Sequence, residues 1–404
     1  MTTDTQATAV QAPQQAITDL MAIERELNEM FLERETAIRM LLVCFLAGQH
    51  GVLVGDPGTG KSALIEEICA RVTDPAGQGM KFFSALMDKF TTKDDLFGPF
   101  DYNGLRNGTQ ERVLEGRLAD CDIAFLDEFW KSSISVLNTM LKAINERKFL
   151  NGRHEIDIPL ISVVAASNEL PQGNELAAIR DRFLLTHFVG HLSPGNRELL
   201  MLRKAGLEPD PWQAPKTKIS RADFMALRQY RATIPFSRPV ILAKNAIVQE
   251  LAKNGVTISE RRDGLVQTLM QANALLEGRT EVNDEDLLIL VDAFWMEPAQ
   301  RPVVSRIVNA HSNPTAARAA ELKDEAATIY AQTTAAMDAN KANKGARIAA
   351  AHEGAGKIEA IKQELEDLQA QAKKSGSNTR RIDQAVTTVG EQYKAILNAI
   401  GFKL

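Results

Sequence analysis

From about residue 17 to residue 48 the apolar positions recur at helical spacing. HGVLVG then switches to a short unbroken run that ends in glycine, so helix is expected to give way to strand. Four more apolar runs of strand length follow: KFFSAL, DIAFLDE, ISVVAASN and LLTHFVGHL. Helical stripes lie between them, among them ALIEEICARV and SISVLNTMLKAIN. Strands alternating with helices predict an α/β fold whose parallel sheet is covered by helices on both faces.

A Pro-rich connection, GLEPDPWQAPKTKIS, separates this unit from residues 220 to 298, which hold no strand pattern and read as a small helical domain. Its last helix, DEDLLILVDAFW, is expected to be capped by Asn283 or Asp284. Beyond Pro314 the chain is rich in Ala, Lys, Glu and Gln. Ile358, Ile361, Leu365 and Leu368 step by three and four, as do Ile382, Val386, Val389, Tyr393, Ile396 and Ile400 after the turn KKSGSN. An antiparallel helical hairpin fits, with Leu322, Ala326 and Ile329 on a third helix. A structural bundle or oligomer contact is the reading favoured for it over catalysis.

Composition narrows the function. The 404 residues are 45% hydrophobic, enough for two or three domains with a real core. Lys and Arg total 47 against 52 Asp and Glu, a net charge of -5, which lacks the basic excess of a dedicated nucleic-acid binder. Cys44, Cys69 and Cys121 lie far apart among apolar residues and read as reduced core thiols. His187 and His191 have a helical metal spacing, but they fall on a predicted strand, where that spacing does not pair the rings. The polar N-terminus shows no secretory pattern, and LLVCFLAG is too short to span a bilayer, so a cytoplasmic protein is expected.

GDPGTGKS, residues 55 to 62, supplies Gly55, Gly60, Lys61 and Ser62 of a P-loop between a predicted strand and a predicted helix. Glycines let the backbone of Gly55, Asp56, Pro57, Gly58, Thr59 and Gly60 curl so that N–H groups face phosphates. Lys61 adds a point charge, and the Ser62 hydroxyl can ligate Mg²⁺. IAFLDE then ends a buried strand in Asp127, suited to the Mg²⁺ shell, and Glu128, suited to activating water against the γ-phosphate. VVAASN places Asn168 at the end of another strand, where its amide could orient that water.

In these segments the sequence resembles the AAA+ ATPases, within them the MoxR family, and particularly its RavA branch. The likeness covers roughly residues 20 to 310 and includes LMDKFTTKDDLFGPF, ERVLEGRLADCDIAFLDEFWK, VLNTMLKAINERKFLNG, VVAASNELP and IRDRFLL. It implies a hexameric, ATP-driven, Mg²⁺-dependent remodelling machine with a five-stranded parallel core and a helical lid. It also implies a protein client, a partner with a von Willebrand factor A domain, and two inserted hairpins, ERVLEGRLADCD and FLNGRHEIDIP. The Asn151-Gly152 pair independently supports a turn in the second. The family expects a lid arginine on the nucleotide phosphate; ISERRD offers Arg261, preferred, and Arg262, with Arg238 a rival by chemistry. The RavA branch carries a β-rich domain that binds a lysine decarboxylase. NKANKGARIAAAHEGAGK stands in its place without a strand pattern, which argues against that binding.

The resulting layout is a flexible tail over 1–16, the nucleotide-binding core over 17–205, a linker over 206–219, the lid over 220–310 and the C-terminal helices over 311–404. AIRDRF, residues 178 to 183, places Arg180 and Arg182 at the end of a helix of about nine residues running back from the phosphate edge for about 13 Å. Both arginines are then too far from their own nucleotide and suit a subunit edge. An arginine arriving there from a neighbour accelerates phosphoryl transfer about a thousandfold or more, and the resemblance points to Arg182. Arg180 stays open between that role and surface charge. A nucleic-acid-dependent motor and an ATP-bound structural switch are the competing readings; the acidic balance opposes the first, and Glu128 the second.

Overall fold

β1 (His50–Val54) is buried along its whole length, as an unbroken apolar run requires, and lies between two parallel neighbours. These are β7 (Ser162–Ser167) and β8 (Phe183–Phe188); the sheet continues from β7 through β4 (Ile123–Asp127) to β3 (Phe82–Leu86). The order β3-β4-β7-β1-β8 is parallel throughout, so every strand ends at the same edge. The computed structural model describes residues 13–171, 176–312, 314–339, 343–375 and 379–400. They fall into two units, one of residues up to Leu242 with Leu251–Val304, the other of Ala243–Glu250 with the chain from Ser305 onward.

In the first unit α1 (Gln14–Met30) and α2 (Glu35–Ala47) precede β1. α2 contains LLVCFLA, with Gly48 as its left-handed cap, and is buried at nearly every position from Ala37 to Ala47, the burial that a helix apolar all round demands. α3 (Lys61–Ala70) follows β1, and the short β2 (Val72–Thr73) pairs with β9 (Ile219–Ser220). α4 (Lys93–Phe97) and α5 (Tyr102–Arg106) lie between β3 and β4. α6 (Ile134–Glu146) starts at Ser133, whose side chain accepts the Val136 N–H, and buries Val136, Leu137, Met140, Ala143 and Ile144 against Val163, Ala165 and Phe183 of the sheet core.

The second inserted hairpin is present as β5 (Lys148–Asn151) and β6 (His154–Asp157). Asn151 opposes His154 as a strand residue, so the two turn residues are Gly152, at φ 63°, and Arg153 rather than Asn151-Gly152. The Asn151 side chain is committed elsewhere: it accepts the Arg112 N–H at 2.6 Å and donates to the Arg112 carbonyl at 3.2 Å. ERVLEGRLADCD is not a hairpin. It crosses as a loop with one isolated bridge, Phe100 to Arg112, and ends in a 3-10 turn at Leu118–Asp120.

α7 before β8 spans only Ala177–Arg180, shorter than the expected nine residues; residues 172–175 lie outside the described residues. α8 (Pro194–Lys204), α9 (Arg221–Arg231), α10 (Arg238–Lys253), α11 (Glu260–Leu276), α12 (Leu290–Ala293) and α13 (Arg301–Ser312) follow. Asn283 is the cap, but DEDLLI, Asp284–Ile289, is a 3-10 turn before α12 begins. Asp286 explains the tightening. It is fully buried and takes Arg279 through both oxygens, at 2.6 Å each, together with Asn273 and the Asn283 N–H.

In the second unit α14 (Pro314–Ala339), α15 (Lys344–Ser375) and α16 (Arg380–Ala399) share a core of Leu322, Ala326, Ile358, Leu365, Ile382 and Val389. The third helix is a full member of a bundle. The described part of NKANKGARIAAAHEGAGK, from Asn343 on, is helical from Lys344; the tip of KKSGSN, 376–378, and most of the tail, 1–12, lie outside the described residues. A Cβ at Gly354 would sit 2.0 Å from Thr333 Oγ1, so α14 and α15 approach to a distance only glycine allows.

Candidate active site

The loop after β1 is shaped by its glycines. A Cβ on Gly55 would fall 2.3 Å from the Val189 carbonyl, where the chain leaving β8 crosses it, and Gly58 and Gly60 adopt φ of 77° and 83°. α3 begins at Lys61, so the first free N–H groups of the helix belong to the loop's end. Lys61 is buried and its Nζ donates to the Gly55 and Asp56 carbonyls at 2.6 and 3.0 Å. Burial pushes its pKa down, while Asp127, Glu128 and Asp56 oppose that. Thr59 Oγ1 donates to the Asp56 carbonyl at 2.9 Å; Pro57, Gly58 and Ser62 are exposed. This is a cradle for an anion whose own lysine is held ready by backbone oxygens.

Asp127 is the last residue of β4 and its Oδ1 accepts the Glu128 N–H at 3.0 Å. Glu128 stands at φ 53°, ψ 35°, a left-handed conformation that costs a non-glycine residue on the order of 1 kcal/mol or more and clusters at functional sites. The turn sends its carboxylate to Asn168, whose Nδ2 donates to Oε1 at 3.2 Å, and to Lys131, whose Nζ is 3.1 Å from Oε2. Asn168 follows β7 directly. Three successive motifs thus end on one sheet edge because the strands are parallel. Among the described residues no group of three His, Cys, Asp or Glu could itself hold a metal ion. Mg²⁺ bound largely by a nucleotide's own phosphates needs no such group; the residues that would hold it are Ser62, exposed at the start of α3, and Asp127, at the end of β4.

Arg182 lies at the opposite edge. It precedes Phe183, which pairs with His50 at the start of β1, so the five residues of β1, about 16 Å, separate it from the P-loop. Arg182 pairs with Asp181 at 3.6 Å, and among the described residues its buried Nε meets no acceptor. Arg261 is beside it: it donates to Asn145 Oδ1 at the end of α6, 3.0 Å, and burial together with the Arg182 charge lowers its pKa. The Arg261 charge also acts on His50 at the start of β1, which puts it at the Arg182 edge of the sheet.

Arg262 is removed as a phosphate ligand. It is 3% exposed and donates to the carbonyls of Ala293 (2.6 Å), Leu184 (2.9 Å), Phe183 (2.9 Å) and Arg180 (3.3 Å), with Asp181 Oδ1 at 3.4 Å. Arg180 is half-buried and donates to the Pro171 carbonyl at 3.3 Å, which binds it to its own chain rather than leaving it as free surface charge. Arg238 is exposed at the first residue of α10. His187 ends near Asp292, 3.8 Å away, while His191 lies past the strand and pairs with Asp56 at 2.9 Å. The three cysteines are free and buried.

Two contacts at the site carry no motif. Lys131 is three residues past Glu128 in a 3-10 turn, a spacing that could have been suspected. Arg34, in the turn before α2, donates to the P-loop carbonyl of Thr59 at 3.3 Å, and nothing in its local pattern announces that contact.

A P-loop, an acidic strand end and an asparagine on one edge of a parallel five-stranded sheet define an AAA+ ATPase. Residues 18–229 match the family model for the MoxR domain of MoxR–vWA–β-propeller ternary systems, and residues 240–308 match a model for an AAA lid domain. The chain belongs to the MoxR family. Two uncharacterized proteins of Methanocaldococcus jannaschii are 36% and 35% identical, covering 72% and 76% of this chain and 73% and 79% of their own. Protein MoxR of Paracoccus denitrificans is 27% identical over 40% of this chain and 47% of its own. A crystal structure of a candidate ATPase from Cytophaga hutchinsonii superposes with a TM-score of 0.55 at 18% identity, covering 74% of this chain and 87% of that one, a likeness of fold.

Proposed function

We propose that the protein hydrolyses ATP with Mg²⁺ in a ring of identical subunits, and spends that hydrolysis on remodelling or maturing a protein client. The observation that carries this reading is the separation of groups across the sheet. Lys61, Asp127, Glu128 and Asn168 gather at one edge, and Arg182 with Arg261 stands about 16 Å away at the other. One chain then holds the phosphate-binding half of a site and offers a neighbour the cationic half.

In this reading the P-loop N–H groups and Lys61 bind the β- and γ-phosphates, and Ser62 and Asp127 hold Mg²⁺, which neutralises phosphate charge. Glu128, released from Asn168 and Lys131, accepts the proton of the attacking water, and Asn168 orients that water. Arg182 and Arg261 of the adjoining copy meet the charge that grows on the transferred group. A hexamer and the RavA-like branch follow from the motif likeness. A partner with a von Willebrand factor A domain is supported by the system the matched family model describes. No described helix is long and apolar enough to cross a membrane, and a cytoplasmic site of action is part of the proposal.

Replacing Glu128 with Gln is expected to lower ATP turnover at least about a hundredfold while leaving nucleotide affinity within about threefold, read by phosphate release and by titration with a fluorescent nucleotide. Turnover near the wild-type rate would remove Glu128 as the base. Stimulation of turnover by DNA or RNA that fades with added salt would favour a nucleic-acid motor instead.

A further inference from the structure

We infer that Arg34 is a positioning residue of the nucleotide site, which holds the phosphate-binding loop in its anion-cradling shape from outside that loop; the inference rests on reading the loop as the ATP site. Arg34 is 8% exposed, in the turn between α1 and α2. Its guanidinium joins three segments distant in sequence: Nε donates to the Thr59 carbonyl at 3.3 Å, Nη2 to the Gly190 carbonyl at 2.9 Å and Nη1 to the Glu33 carbonyl at 2.7 Å. The P-loop is thereby tied to the chain leaving β8 and to the α1–α2 turn.

Among the described residues the guanidinium's hydrogen bonds go to backbone carbonyls, with the charges of Glu33 and Glu35 acting on it from either side. Glu33 is adjacent, yet its carboxylate takes the Ser193 N–H and the Asn196 amide, both at 2.8 Å. Glu35 on the other side is exposed. Burial lowers the Arg34 pKa against the opposing charges of Glu33 and Glu35, and the Arg34 charge also reaches Lys61. Nucleotide phosphates would meet two cations there, one inside the loop and one behind it.

The Thr59 contact also orients the loop. A trans peptide is planar, with its C=O and N–H pointing in opposite directions. Holding the Thr59 carbonyl toward Arg34 therefore turns the Gly60 N–H away from Arg34, the sense in which successive loop N–H groups converge on a phosphate. Gly60 at φ 83° permits the bend that follows. Lysine could supply the charge but could not bridge three carbonyls in one plane.

The test is titration of Arg34→Lys and Arg34→Gln with fluorescent ADP and GDP, reading Kd and binding stoichiometry separately. Both variants are expected to weaken ADP about tenfold or more, as the loss of charge-assisted hydrogen bonds implies. GDP should weaken by the same factor, and stoichiometry should stay near one. If Arg34→Gln fails to fold, Arg34→Lys carries the test alone. Wild-type affinity in Arg34→Lys overturns the bridging role, and unequal losses for ADP and GDP make Arg34 a reader of the base. Reduced stoichiometry with unchanged Kd leaves it a merely structural residue and also sinks the proposal. A wild type that binds neither nucleotide defeats the ATPase reading itself, and this inference with it.

Discussion

Arg262 and Arg261 are neighbours in one sequence with opposite fates, and helix phase decides between them. Arg262 lies on the stripe that continues through Val266, Leu269 and Met270, all buried, at spacings of four, seven and eight. That signal was legible, whereas a doubled arginine read as chemistry alone conceals it. Because Arg262 satisfies four backbone carbonyls around the start of β8, Arg262→Ala is expected to cost about 3–5 kcal/mol in urea unfolding. Arg261→Ala should cost within about 1 kcal/mol. The reverse order would restore Arg262 as a free ligand.

His50 makes a second residue-scale prediction. Its Nδ1 accepts the Val163 N–H at 2.8 Å, leaving Nε2 to face the Ile144 carbonyl at 3.0 Å. Burial, and then the nearby charges of Arg147 and Arg261, hold its pKa well below the usual 6.5. The unfolded chain binds a proton there that the folded chain refuses, so stability is full above about pH 6.5 and falls below it. The loss approaches about 1.4 kcal/mol per pH unit from this group. Urea unfolding at pH 7.5 and 5.5 should show it, and His50→Asn should flatten the difference; an equal slope in the variant would exclude His50 as the cause.

At the scale of elements, the five strands and the C-terminal helices were readable because their apolar periods are unbroken. Connections were less so. ERVLEGRLADCD offers no strand alternation to match the hairpin expected from resemblance, and its Arg112 is fastened by Asn151 of the other insertion. The Asn-Gly pair correctly marked a turn but not its register, since that asparagine is held by its side chain. DEDLLI tightened into a 3-10 turn because of Asp286, a tertiary contact invisible in the local pattern. The close approach of α14 and α15 yields a test: Gly354→Ala should destabilise the bundle by about 1–3 kcal/mol, with Thr333→Ala recovering part of the loss. A neutral Gly354→Ala in thermal melting would contradict the contact.

For the whole molecule, the decisive fact is which sheet edge each group occupies. The order of motifs already placed Lys61, Asp127 and Asn168 on one edge of a parallel sheet. Arg182 was assigned to the other through a nine-residue helix, of which the described part is only Ala177–Arg180. The assignment now rests instead on strand register, Phe183 opposite His50, which does not depend on helix length. What sequence could not show is that Arg261 joins Arg182 there, since they are distant in the chain and are brought together beside Asp181 and the end of α6. Both arginines stand at the sheet edge opposite their own phosphate cradle, so a solitary chain lacks half of the proposed catalytic charge.

That claim is tested most directly by mixing. Arg182→Ala subunits, whose own P-loop, Asp127 and Glu128 are intact, are combined with wild type in increasing proportion, and ATP turnover is measured at constant total protein. The account predicts activity falling below the straight line between the two pure proteins, because each variant subunit withdraws its arginine from a neighbour's site. Strictly additive activity, or a variant as active alone as wild type, would contradict it.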